Sequence, residues 1–176
     1  KGNIYMDIKI IECPRDAMQG FGRFINTETK AEYINSLLEV GFHTIDFGSF
    51  VSPKAIPQMR DTAKVLAKLD LGKSDSKLLA IVANTKGADD ACHFEEIDYL
   101  GFPFSVSETF QLRNTNSTIA QSLKCVEYIQ GLCEKKGKKL VFLMLALLAP
   151  VTIFIFLKLF GRNEFRVPVL HQESLP

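Results

Sequence analysis

With 176 residues, 47% of them apolar, the chain is long enough for one packed domain and carries no compositional mark of disorder. Its 21 basic and 20 acidic side chains leave a net charge of +1, so there is no broad field to attract a nucleic acid, and polyanion binding is excluded as a main activity. Four cysteines, Cys13, Cys92, Cys125 and Cys133, have neither the short paired spacing of a zinc site nor the density of a secreted disulfide scaffold; they read as reduced thiols of a cytoplasmic protein.

Lys1-Gly2-Asn3-Ile4-Tyr5-Met6 lacks an apolar targeting core with a small-residue cleavage site, which predicts no secretion signal. Ile8 to Ile11 is a β-branched run ending in Glu12-Cys13-Pro14, and the polar residues after it carry Gly20 and Gly22: a strand entering a loop. Thr27 is placed to cap a helix whose apolar positions Ala31, Ile34, Leu37, Leu38 and Val40 keep helical spacing, with Gly41 at its C-terminal end. A second strand is predicted at His43 to Phe47, a helix from Met59 to Leu69, and a third strand at Leu78 to Val82. Gly87 to Ile97 reads as a helix, Pro103 to Val106 as a fourth strand, and Ile119 to Cys133 as an amphipathic helix ending near Gly137; Leu140 begins a fifth strand.

Strands alternating with helices over short links predict the α/β class, because parallel neighbours need a long return connection. A closed barrel and an open doubly wound sheet both satisfy the pattern, and no phosphate-binding glycine fingerprint follows the first strand.

In either architecture chemistry gathers just past the carboxyl ends of the strands. Strand one delivers Arg15, Asp16 and Gln19 there, and strand two delivers Asp46 and Ser49. Strand three is followed by Asn84 and Lys86, and strand four by Ser107, Glu108, Arg113, Asn114 and Asn116. Asp16 and Asp46 are hard oxygen donors suited to a divalent ion such as Mg²⁺ or Mn²⁺, and Arg15 is suited to a developing enolate or alkoxide. The alternative is a solvated Arg15–Asp16 pair on the surface, worth at most about 1 kcal/mol.

Two blocks of residues carry a resemblance. Glu12-Cys13-Pro14-Arg15-Asp16-Ala17-Met18-Gln19 resembles the strand-one motif of hydroxymethylglutaryl-CoA lyases and their metallolyase relatives, and Asp46 to Met59, with Ser49-Phe50-Val51-Ser52-Pro53-Lys54 inside it, is similar to the block after strand two of those lyases. Asn84-Thr85-Lys86-Gly87 and Ser107 to Ser117 fall where that family has its third and fourth loops, so the likeness spans roughly residues 6 to 144.

The resemblance implies a TIM (β/α)8 barrel and cleavage of 3-hydroxy-3-methylglutaryl-CoA to acetyl-CoA and acetoacetate. By position, Arg15 would stabilise the enolate, Asp16 would ligate the divalent metal, Mg²⁺ or Mn²⁺, and Gln19 would support the first loop. Asp46 stands where the family commonly has Glu and would help organise the site; Ser49 would contact the acyl portion, and Asn114 or Asn116 would line the substrate side. The partners implied are an acyl-CoA substrate and, as is common in the family, further copies of the chain. Ala17 replaces the family's usual glycine, which predicts strain if the backbone there needs φ > 0.

The family's metal site also uses a His-x-His pair and an Asn from later strands, and its catalytic cysteine lies on a glycine-rich loop. His43, His93 and His171 have no such spacing, and the four cysteines fall in predicted strands or helices. A barrel of this kind takes about 250 residues, so the chain is expected to form an incomplete barrel of about four and a half βα units, inactive alone. Residues 1–144 are the expected barrel part, and residues 145–176 an apolar segment foreign to the family.

From Leu140 to Leu157 there is no charged residue, and Lys158 closes the run. Its first part reads as strand five and the rest, through Pro176, as out-of-frame or mispredicted sequence; a membrane anchor interrupted by Pro150 is the alternative. The function classes in competition are therefore a lyase fragment, a membrane-anchored non-catalytic half barrel acting as a binding module, and a Claisen-type acyl-CoA synthase such as isopropylmalate or homocitrate synthase. The Ser49-to-Lys54 block disfavours the synthase.

Overall fold

A computed structural model describes residues 8–144. Five strands, β1 (Ile11–Glu12), β2 (Thr44–Ser49), β3 (Lys77–Ile81), β4 (Ile97–Phe104) and β5 (Lys139–Met144), pair in parallel in the order β1-β2-β3-β4-β5. The connections carry α1 (Pro14–Gln19), α2 (Thr27–Val40), α3 (Thr62–Leu66), α4 (Thr85–Ala91), α5 (Glu108–Thr115) and α6 (Ile119–Lys136), with short 3₁₀ turns at Pro57–Met59 and Leu71–Lys73. The strand order decides between the two architectures the alternation left open. A doubly wound sheet reverses its order at a switch point, whereas an unbroken sequence of right-handed crossovers keeps every helix on one face and curls the other inward. The fold is the first part of a TIM barrel.

Local chemistry accounts for the helix ends. Asn26, not Thr27, caps α2: its side chain accepts the Thr29 N–H at 2.7 Å while its own backbone stays extended. A capping box of Thr118 and Gln121 starts α6. Gly41 (φ 81°) and Gly137 (φ 67°) stop α2 and α6 in the left-handed region that side chains disfavour.

Leu79 and Ile81 are buried on the sheet face that carries Asp46, and the larger part of the core lies between the helices and the opposite face. Ile45, Leu78, Ala80, Ile97, Leu100 and Phe102 are buried on that face, and Ile34 and Leu38 of α2 and Val126, Ile129 and Cys133 of α6 are buried on the helices. Each such side chain contributes about 1.5–3 kcal/mol by leaving water, so Ile34→Ala, which opens a cavity at a fully buried position, would cost about 2–5 kcal/mol.

Several elements differ from their sequence-based bounds. The segment after Cys13 is not a loop from the outset but the short helix α1, with Pro14 in its first turn, where a missing N–H costs nothing. Ala17 sits inside that helix and needs no positive φ, so the strain expected from its replacing glycine does not arise. The helix expected to reach Ile97 stops at Ala91, and β4 starts at Ile97, six residues before the expected Pro103. The run Glu95-Glu96-Ile97-Asp98 hides the strand because it does not alternate. Asp98 is an extra residue in the β3–β4 register, and its carboxylate accepts the Leu78 N–H at 3.0 Å.

Of the apolar run Leu140 to Leu157, the part through Met144 is strand β5; the remainder, with the expected tail at 145–176, lies outside the described residues. Among the described residues no helix is long and apolar enough to cross a membrane.

Candidate functional site

The expected site residues at the first two strand ends meet. Residue Arg15 leaves α1 toward β2, where Asp46, only 1% exposed, faces it. The guanidinium Nε donates to both Asp46 oxygens at 3.2 and 3.1 Å, and Nη2 donates to Asp46 Oδ2 at 2.6 Å. On the other side Nη1 donates to Asp16 Oδ1 at 3.1 Å and to Gln19 Oε1 at 2.8 Å. Gln19 Nε2 closes the ring by donating to Asp16 Oδ1 at 3.1 Å. Helical spacing explains the local half: Arg15 and Gln19 are four apart and Asp16 and Gln19 three apart, hence neighbours on one face of α1.

Electrostatics follow burial. Burial works against the Arg15 charge, but the hydrogen bonds and negative charge of Asp46 outweigh it and hold the guanidinium's pKa above its ordinary value. Burial pushes the Asp46 carboxyl up, and Arg15 opposes that shift. The two-nitrogen grip, with Nη2 at 2.6 Å, favours an ionised pair. Exposed Cys13 stands at the start of α1, its thiol pKa raised by partial burial and then by Asp46.

Ser49 ends β2 on the same sheet face as Asp46, as the register shows: Asp46 pairs with Leu79 and Ser49 with Ile81, two residues apart on β3. Its hydroxyl donates to the Ile81 carbonyl at 3.3 Å and does not join the Arg15 network.

The later strand ends are less convergent. Asn84 caps α4 by accepting the Gly87 N–H at 2.8 Å, and Lys86 pairs with Asp90 on the same helix at 2.5 Å. Ser107 caps α5, and Glu108 accepts the Ile119 N–H at the start of α6 at 3.2 Å. Asn114 is exposed in the last turn of α5, and Asn116 is its exposed C-cap at φ 53°, a conformation asparagine tolerates better than most residues.

A second buried ion pair lies outside the residues that strand-end position singles out in the sequence. Lys30 of α2, 2% exposed, donates to Asp61 Oδ1 at 2.6 Å and to the Gln58 carbonyl, and Thr27 Oγ1 donates to Asp61 Oδ2 at 2.8 Å. Gln58 in turn pins the segment after α1: Nε2 donates to the carbonyls of Phe21 and Arg23, and Oε1 accepts the Ile25 N–H. The available signal was Lys30 itself, a charge one turn before Ile34 on the apolar face of α2.

The donor set does not make a divalent-metal centre by itself. Asp46 is committed to Arg15, Asp16 Oδ1 is shared between Arg15 and Gln19, and among the described residues no three His, Cys, Asp or Glu side chains cluster closely enough to hold an ion. What the arrangement offers is a buried, oriented guanidinium at the strand ends.

No family model matches the chain. It is 34% identical over 117 residues to the mitochondrial hydroxymethylglutaryl-CoA lyase of Arabidopsis thaliana, covering 66% of this chain and 25% of that protein. To the hydroxymethylglutaryl-CoA lyase YngG of Bacillus subtilis it is 33% identical over 122 residues, 69% of this chain and 40% of the relative. The chain thus spans well under half the length of these curated relatives. Among solved structures, an HMG-CoA lyase from Acinetobacter baumannii, in complex with coenzyme A and 3-methylmalate, superposes with a TM-score of 0.76 at 29% identity, over 85% of this chain and 51% of that one. The Bacillus subtilis HMG-CoA lyase gives a TM-score of 0.73 at 30% identity, over 78% and 46%.

Proposed function

We propose, for a chain related in sequence and in fold to the hydroxymethylglutaryl-CoA lyases, that it carries the arginine–carboxylate part of a site cleaving 3-hydroxy-3-methylglutaryl-CoA to acetyl-CoA and acetoacetate. The observation behind this reading is the Arg15 guanidinium, 8% exposed and oriented by Asp46, Asp16 and Gln19. When the carbon–carbon bond of such a thioester breaks, its electron pair passes to the thioester and develops as negative charge on the enolate oxygen. A fixed cation at that oxygen lowers the barrier, since its orientation is settled before reaction. Arg15 is always charged, and Asp46 holds its plane.

In this reading Ser49, on the Asp46 face, contacts the acyl portion, Gln19 keeps Arg15 and Asp16 in register, and Asn114 and Asn116 approach the substrate from α5. Asp16, whose side chain is 65% exposed, is the ligand this chain contributes to a divalent Mg²⁺ or Mn²⁺ ion. The donors among the described residues do not complete that ion's site. Residues 1–144 form the lyase-like unit and residues 145–176 a tail foreign to it, acting in the cytoplasm.

With no His-x-His pair in its sequence, the chain by itself is inactive. Purified chain with Mg²⁺ or Mn²⁺ and the thioester should release no acetoacetate, and turnover at an ordinary enzymatic rate would overturn the inactivity. Calorimetry tests the site: 3-hydroxy-3-methylglutaryl-CoA should bind the chain at least about tenfold more tightly than it binds Arg15→Gln, a difference of about 1.4 kcal/mol. Equal binding by the two would remove Arg15 from the substrate site.

A further inference from the structure

The geometry points to Thr62 as a positioning residue: its hydroxyl holds the bulge in β2 that turns the Ser49 side chain onto the sheet face of Asp46. In an unbroken strand two residues three apart point to opposite faces. Asp46 and Ser49 are three apart yet share a face, because the β2–β3 register gains one residue between Asp46 and Gly48. Such an insertion strands backbone groups that the ladder would otherwise pair.

Thr62 holds the strand just past the extra residue, Phe47, where the register resumes at Gly48 and Ser49. Its Oγ1 accepts the Ser49 N–H at 3.1 Å, and its single proton is shared between the carbonyls of Ser49 at 3.0 Å and Met59 at 2.8 Å. Both residues are buried, Thr62 at 5% and Ser49 at 2% exposure, so water does not substitute for the hydroxyl. Gly48 permits the approach, since a Cβ there would lie 2.5 Å from Thr62 Cγ2. Thr62 reaches the strand from α3, on the face opposite Asp46, and so governs the substrate side without touching it. Without the hydroxyl the favoured repair is loss of the bulge, which carries the Ser49 hydroxyl to the helix side. The Asp98 bulge in β4 is sealed by its own carboxylate, whereas the β2 bulge depends on a residue thirteen positions away.

That Ser49 then meets an acyl group rests on the proposed lyase reading; the latch does not, and one experiment on the full chain separates them. Amide exchange and side-chain NOEs would be measured in the parent, Thr62→Val and Thr62→Ser. The Ser49 amide should exchange at least about tenfold faster in Thr62→Val, with loss of the NOEs between Ser49 Hβ and the Ile81 methyls, while Thr62→Ser keeps both. Unchanged exchange and NOEs in Thr62→Val would overturn the latch. Should Thr62→Val not fold, Thr62→Ala decides it against Thr62→Ser, which keeps the hydroxyl: the Ser49 amide should exchange at least about tenfold faster in Thr62→Ala than in Thr62→Ser. Equal protection in both would overturn the latch. If Ser49 responds as expected but the parent does not bind the thioester, the latch stands and the lyase reading falls.

Discussion

Arg15 holds Asp46 with two nitrogens, Nε at 3.1 Å and Nη2 at 2.6 Å, joining residues 31 positions apart, one in α1 just past β1 and the other inside β2. Breaking a buried pair from one side leaves an uncompensated charge, whereas removing both partners does not. Asp46→Leu should therefore destabilise the chain by about 3–5 kcal/mol, and Arg15→Met/Asp46→Leu by clearly less than Arg15→Met and Asp46→Leu summed. Urea midpoints of the four proteins supply the cycle, and simple additivity would mean the two side chains are not coupled.

Lys30 and Asp61 form a second buried pair, at 2.6 Å. Lys30→Met keeps the stem but leaves the Asp61 carboxylate with Thr27 and the Gln58 carbonyl without its donor. A loss of about 3–5 kcal/mol is expected. Thermal unfolding monitored by circular dichroism reads it, and a midpoint within a degree of the parent would show that the pair contributes nothing.

Gly87 is expected to tolerate no side chain. A Cβ there would stand 2.4 Å from the Phe50 carbonyl oxygen, a backbone atom in the link after Ser49. Gly87→Ala should cost about 1–3 kcal/mol through overpacking, despite alanine's better helix propensity. Gly20→Ala, with no atom within 4 Å of its Cβ, is the control and should stay within about 0.5 kcal/mol.

Cys133 is 1% exposed, and burial pushes its thiol up to about 12 from 9.0. Below pH 9 the thiol is protonated in both folded and unfolded chains. Above it the unfolded thiol ionises first, so the unfolded state binds fewer protons and stability falls as pH rises toward 12. Urea midpoints from pH 8 to pH 11 should decline less steeply for Cys133→Ala than for the parent, whatever its lower starting stability; parallel curves would refute the assignment.

Arg15 offsets one of the two carboxylates Asp16 and Asp46, leaving one net negative charge at the site. That charge, on an exposed carboxylate, should bind Mn²⁺ no more tightly than about millimolar. Titration of the chain followed by Mn²⁺ electron paramagnetic resonance tests this, and one ion per chain bound in the low micromolar range would show that its donors converge.

The parts of this protein that depend on near neighbours were legible in the residues themselves. Strand–helix alternation, the α/β class, Gly41 and Gly137 as helix stops and the delivery of Arg15, Asp16, Asp46 and Ser49 to strand ends all follow from periodicity, capping and the direction of parallel strands. The start of β4 was hidden, because Asp98 interrupts its alternation and finds its partner on another strand. Tertiary structure alone decided the rest. Strand order selected the barrel over the doubly wound sheet. A bulge sealed by Thr62 put Ser49 beside Asp46. Arg15 took Asp46 as its main partner, with Asp16, next to it in sequence, bonded by a single nitrogen. Local hydrogen bonds are specified within a turn or two of chain, but which side chains meet across 31 residues is set by register, and one inserted residue reverses the face of everything after it.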